Sequence, residues 1–328
     1  MRSFLTINLK KLQTNIEEIR KINNKKIIAV IKSNAYGLGI IDIAKFLLSQ
    51  GIDYFAVATL EEAILLRKNK IRTNILVLEK SNDHLLFQKY NLTYVVYDLD
   101  SLKETQKYKV KFHIKIDTGL NRLGISINEI DDLKKLITSK SNIEGIFTHI
   151  ASNNTYEKQM EVFKLALNKL DDINFKIIHI DSSRFISQTN SSTHIRIGLS
   201  LFVYKENIIS LESPIIRIKE VNKDDLVGYH NQEKTPCKGY LLTIPLGYAD
   251  GWNKDRRTIG FINGTKIQQI GETCMDHMMF FSKEKPKNET IELIGDNLKI
   301  DYLENIYNES KYQIFASLSY RLKRIYTK

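Results

Sequence analysis

Through the first two-thirds of the chain, short β-branched and aromatic runs alternate with stretches whose apolar positions recur at helical spacing. The runs IIAVI at Ile27, YFAVAT at Tyr54, NILVLE at Asn74, TYVVYD at Thr93 and KFHIKID at Lys111 read as strands, followed by EGIFTHI at Glu144, KIIHID at Lys176 and HIRIGL at His194. Between them, sets such as Ile40, Ile43, Ala44, Leu47, Leu48 and Met160, Phe163, Leu167, Leu170 each lie on one face of a helix. Alternating strands and helices imply parallel pairing. Eight such units predict an α/β fold with a closed (β/α)8 TIM barrel. An open doubly wound sheet is disfavoured because no G-x-G-x-x-G follows the first run.

After about Ser210 the texture changes. SPIIRIKEV, GYLLTIPLGY, RTIGFINGTKIQQI and TIELIG read as strands without long helices between them, and Asn263-Gly264 marks a two-residue hairpin. The expected organisation is therefore a barrel domain over 1–210 and a C-terminal mostly-β domain over 211–328.

Polar residues gather where a barrel carries chemistry, at the C-terminal ends of its strands. They are Lys32, Thr59, Lys115 with Asp117, His149, His179 and Arg196. The two-residue period of HIKID puts His113, Lys115 and Asp117 on one face. Any one of these could be an ordinary ion-pair or capping residue, but their convergence at equivalent positions points to a site. Lys32, followed by Tyr36, Gly37 and Gly39, could be a salt-bridge partner, a general base or a Schiff-base nucleophile. The glycines suit close approach to a bulky anionic cofactor.

Composition adds limits. The formal charge is +11, but the lysines are scattered and no window interleaves basic with aromatic residues, so a solvated surface is expected rather than nucleic-acid binding. No stretch is long and apolar enough for a membrane span, and the N-terminus lacks the apolar centre of a signal peptide. Cys237 and Cys274 make no disulfide framework, so the expected location is a reducing cytoplasm.

The segment AVIKSNAYGLG resembles the A-V-x-K-A-N-A-Y-G-H-G signature of the alanine racemases, bacterial pyridoxal phosphate (PLP) enzymes built from a barrel and a β domain. The resemblance runs through the whole chain in order: KIDTGLNRLG, FTHIA, HIDSS, RIGLSLF, VGYH, IPLGYADGW, CMDH and SLSYRLKRIY. It implies two-base racemisation of alanine, supplying D-alanine for peptidoglycan, by a homodimer with shared sites and no metal. Lys32 would carry PLP as a Schiff base and serve as one base; Tyr229 of the other subunit would be the second. Tyr36, Ser183, Tyr320 and the backbone of Gly198 and Leu199 would hold the phosphate. Arg196, supported by His179, would face the pyridine nitrogen, and His149 would lie against the ring. Arg122 and the backbone of the partner subunit's Met275 would meet the substrate carboxylate, and Lys115 occupies a position that carries a carbamate in many members.

The implied chemistry needs two bases that work near neutrality, whereas lysine and tyrosine both titrate at about 10. Burial lowers a lysine but raises a tyrosine, so nearby cations are the expected common cause. An arginine beside the pyridine nitrogen has no acceptor, which leaves that nitrogen unprotonated and the ring a weaker electron sink. That favours racemisation over transamination. Leu38, Asn121, Ser182, Phe202 and Glu272 depart from the family pattern around the expected substrate entrance. A serine or broad-specificity racemase of the same fold is therefore the alternative. PLP-dependent decarboxylases fit less well because of the CMDH and GYADGW motifs, and a single-domain PLP carrier lacks the second half.

Overall fold

The computed structural model describes residues 2–180, 192–231 and 233–328. The chain forms two compact units, one of residues 15–35 and 40–201, the other of residues 1–14, 36–39 and 202–328. The first strand, β1 (Phe4–Asn8), lies in the second unit's sheet. The change from one unit to the other near residue 201 lies close to the boundary expected from sequence, and by contact the N-terminal strand and residues 36–39 group with the C-terminal part. The physical reason is pairing: β1 lies between two strands more than two hundred residues away, and no local pattern signals that.

The barrel unit contains β2 (Lys26–Val30), β3 (Tyr54–Val57), β4 (Asn74–Val77), β5 (Thr93–Val96) and β6 (Lys111–Asp117), each near its expected position. A short β7 (Ile125–Ser126) pairs with β6, and β8 (Ile143–Phe147), β9 (Ile177–His179) and β10 (His194–Ile197) follow. All the pairings are parallel, in the order β5-β4-β3-β2-β10-β9-β8-β6, and β5 pairs with β6 to close the ring. Helices alternate with the strands: Ile40–Ser49 buries Ile40, Ile43, Ala44 and Leu47, and Tyr156–Lys169 buries Met160, Phe163 and Ala166. Ile28, Phe55, Leu76, Val95, Ile114 and Ile146 are fully buried on the strands, each such side chain contributing about 1.5–3 kcal/mol.

The second unit is built on β11 (Ile209–Pro214), β12 (Arg217–Val221), β15 (Gly239–Ile244), β16 (Ile259–Ile262), β17 (Thr265–Gln269), β18 (Met278–Ser282), β19 (Thr290–Ile294) and β20 (Lys323–Thr327), with a small ribbon of β13 (Leu226–Val227) and β14 (Glu233–Lys234). Its main sheet runs β12-β15-β18-β17-β16-β19-β11-β1-β20. The Asn263-Gly264 turn joins β16 to β17 as a two-residue hairpin, with Ile262 facing Thr265. Buried Leu242, Phe280, Ile291 and Leu293 supply its core. Among the described residues no helix is long and apolar enough to cross a membrane.

Candidate active site

The barrel's C-terminal rim brings together Lys32, Lys115, Arg122, His149, His179 and Arg196. Lys32 follows β2 and is half-buried. Burial and the charge of Arg122 lower its pKa, against the opposing pull of Glu62 and Glu79. Lys115, buried on β6, falls from 10.5 to about 8, first through burial and then through Arg122 and Arg196. His149 drops to about 3 through burial and the surrounding cations Arg196, Arg122, Lys115 and Lys32. The half-buried Lys32 amine with the cations Lys115, Arg122 and Arg196 around it makes a surface suited to an anionic, imine-forming ligand. The residues present therefore fit PLP.

Arg196 is fixed by a buried chain of hydrogen bonds. Its Nη1 donates to His179 Nδ1 (2.5 Å), and its Nη2 donates to the Thr148 carbonyl (3.0 Å) and lies 3.3 Å from His149 Nδ1. Arginine can only donate, so His179 Nδ1 is the acceptor and its Nε2 carries the hydrogen. That Nε2 then donates to His113 Nδ1 (2.8 Å), and His113 Nε2 points to Glu144 (3.3 Å) and the Tyr54 hydroxyl (3.1 Å). Glu144 also accepts from Tyr54 (2.7 Å), Lys111 (3.1 Å) and Thr93 (3.3 Å). Burial keeps both histidines neutral, with pKa values below the usual range. The relay thus leaves the guanidinium its full charge. Phe147 packs flat on His179 (4.5 Å between centroids) and lies under the Arg196 guanidinium (4.8 Å).

Two expected site residues have structural work. Thr59 caps the helix Leu60–Lys68 and forms a capping box with Glu62. Asp117 accepts from the backbone of Gly119 (2.9 Å) and Asn121 (3.1 Å), holding the loop that presents the exposed Arg122. Glu144, Tyr54 and Lys111 were not singled out from sequence. They sit at the opening residues of their strands, where strand-end reasoning does not look.

After Lys32 the backbone makes a left-handed turn. Ser33, Asn34, Ala35 and Tyr36 have φ of 54°, 55°, 53° and 55°. Each such residue costs about 1–2 kcal/mol, and four in succession occur only where the surroundings impose them. Asn34 helps hold the turn by accepting from the Ile40 amide (2.9 Å). Gly37 and Gly39 continue with φ of 78° and 98°. A Cβ at Gly37 would lie 2.4 Å from the Phe315 carbonyl, and one at Gly39 would lie 2.1 Å from the Tyr326 hydroxyl. Protein atoms, not a cofactor, explain these two glycines.

The second unit carries the other expected residues. Tyr36 is buried against Phe202 (5.8 Å) and Tyr312 (6.1 Å). Tyr229, Met275 and Tyr320 are exposed by 65%, 54% and 89%. Gly198 and the buried Leu199, at the end of the barrel unit, lead into the turn Ser200–Val203. Ser183, and with it Ser182, lies outside the described residues.

The alanine racemase N-terminal domain model matches residues 7–206 and the C-terminal domain model residues 208–326. The alanine racemase of Fusobacterium nucleatum is 32% identical, the match covering 99% of each chain, and that of Clostridium tetani is 33% identical, covering 98% of this chain and 94% of the relative. Among solved structures, the alanine racemase of Bacillus anthracis with bound L-Ala-P superposes with a TM-score of 0.93 at 26% identity, covering 100% of this chain and 96% of that one. The enzyme of Clostridium difficile gives 0.92 at 26% identity with the same coverage. The chain belongs to the alanine racemase family of PLP-dependent isomerases.

Proposed function

We propose that this chain interconverts L- and D-alanine with two bases, Lys32 and Tyr229, acting on opposite faces of the substrate. Bound pyridoxal phosphate supplies the electron sink that makes the alanine Cα–H acidic. Lys32 Nζ takes the proton from one enantiomer or returns it to the other, and Tyr229 Oη does the same from the opposite side. Arg196 presents a permanent cation to the ring nitrogen, while Tyr36, Tyr320, Ser183 and the Gly198-Leu199 backbone bind phosphate. Arg122 and the Met275 backbone orient the substrate carboxylate. The observation that carries this reading is the half-buried Lys32, lowered in pKa, beside an Arg196 that neutral histidines hold in place.

Tyr229 and Met275 are well exposed on the single chain, which supports a homodimer in which each subunit's β unit completes its partner's site. The family's role suggests a cytoplasmic enzyme supplying D-alanine for cell-wall synthesis. The lowered Lys115 amine suits carbamate formation with carbon dioxide, which would place an anion beside Arg122. Labelled bicarbonate should give a carbamate NMR signal that Lys115→Arg abolishes; a signal surviving the substitution would place the modification elsewhere.

Purified protein given PLP should convert L-alanine to D-alanine, faster than it converts L-serine, by circular dichroism. Borohydride should then fix the cofactor to the peptide containing Lys32. A label on any other peptide would overturn the assignment.

A further inference from the structure

Three loops of the second unit converge on an ionic cluster that plays no part in the chemistry above. Asp250, with its side chain only 1% exposed, pairs with Arg2 (2.8 Å) and Arg321 (3.4 Å), and its other oxygen accepts from the Gly247 amide (3.0 Å). Arg321 also reaches Asp276 through Nη2 (2.5 Å).

The backbone follows the same connections. The Tyr248 and Ala249 amides donate to the carbonyls of Cys274 (3.1 Å) and Met275 (3.0 Å), and the Ser319 amide donates to the Asp250 carbonyl (3.0 Å). A Cβ at Gly247 would lie 2.3 Å from the Met275 carbonyl, so only glycine lets these loops come so close. The flanking side chains Met275 and Tyr320 remain exposed, whereas the Asp250 carboxylate between their loops is buried.

We infer that Arg321 is a positioning residue that joins the Tyr320 loop to the Met275 loop. The inference rests on the proposed function, in which Tyr320 binds the phosphate of its own chain's cofactor and Met275 serves the partner's substrate. One guanidinium then sets cofactor grip in one site and substrate grip in the other. A buried carboxylate shared by two arginines is an interaction whose loss is felt, unlike an isolated surface pair.

Mixed dimers separate the two effects. In the first, a Lys32→Ala chain is paired with an Arg321→Gln chain, so the one working site has the altered Tyr320 loop and an intact Met275 loop. The dissociation constant for PLP, read by spectroscopic titration of the apo-dimer, should rise about tenfold, the size expected for a lost charge-assisted hydrogen bond. KM for alanine should stay unchanged. In the second, a Lys32→Ala/Arg321→Gln chain is paired with a wild-type chain, and the pattern should reverse, with KM rising and PLP affinity unchanged. Arg321→Lys should recover part of each loss.

Equal shifts of both constants in both dimers would reduce Arg321 to general stability, and no shift in either would remove it from the site. A third dimer, wild type with Lys32→Ala/Tyr229→Phe, isolates the underlying reading. It should be nearly inactive if sites are shared, and half-active activity there would refute the sharing rather than the role of Arg321.

Discussion

At Arg196 the proposed chemistry depends on a single residue type. Its partners His179 and His113 are neutral acceptors and donors in series, so nothing along the line removes its charge. In the proposed role, a cation facing the pyridine nitrogen would keep that nitrogen unprotonated and limit electron withdrawal. Arg196→Glu should reverse this by accepting a hydrogen bond from a protonated nitrogen. The expected result is a persistent long-wavelength absorbance with alanine and more transamination per racemisation event. An unchanged spectrum and product ratio would mean that Arg196 does not face the ring. The position of Arg196 was legible in the sequence because it ends a strand in a barrel. The proton positions along its relay were not, since they depend on which atoms of distant strands meet.

At the scale of elements, β6, β8, β9 and β10 carry the relay across the barrel interior. Glu144 on β8 anchors it. Burial alone would raise this carboxyl, but hydrogen bonds from His113, Tyr54 and Lys111 outweigh it and hold the pKa at about 2, against 4.5 ordinarily. A carboxyl depressed on folding stabilises the native state fully above its unfolded pKa and loses that contribution as pH falls through the folded one. Wild-type stability should therefore fall between about pH 4.5 and pH 2. Glu144→Gln should lower the Tm at neutral pH and flatten that part of the profile. An unchanged acid limb would show that Glu144 contributes nothing to acid stability.

All eight barrel strands were legible, because each is a compact β-branched run between polar turns. The Lys32–Gly39 segment reads from sequence only as a candidate site, not as a left-handed turn. Nothing in Ser33, Asn34, Ala35 and Tyr36 beyond the tolerance of asparagine favours four left-handed residues, which the surrounding structure imposes. The pairing of β1 with β11 and β20 was invisible for a related reason: local pattern records burial and turn chemistry, not which distant strand lies alongside.

For the whole molecule, the division into units matters more than the net charge. The +11 balance is spread over the chain rather than gathered in one stretch. The barrel unit contains Lys32 and the second unit contains Tyr229, and in the proposed function the two bases of one site come from different chains. In a symmetric dimer each chain would give Lys32 to one site and Tyr229 to the other. Lys32→Ala chains mixed with Tyr229→Phe chains, under conditions that exchange subunits, test this most directly. Random pairing makes about half the dimers mixed, each with one intact site, so roughly a quarter of wild-type racemase sites should return. If mass spectrometry confirms the mixed dimers while activity stays at the level of the two parents, the shared two-base site is contradicted.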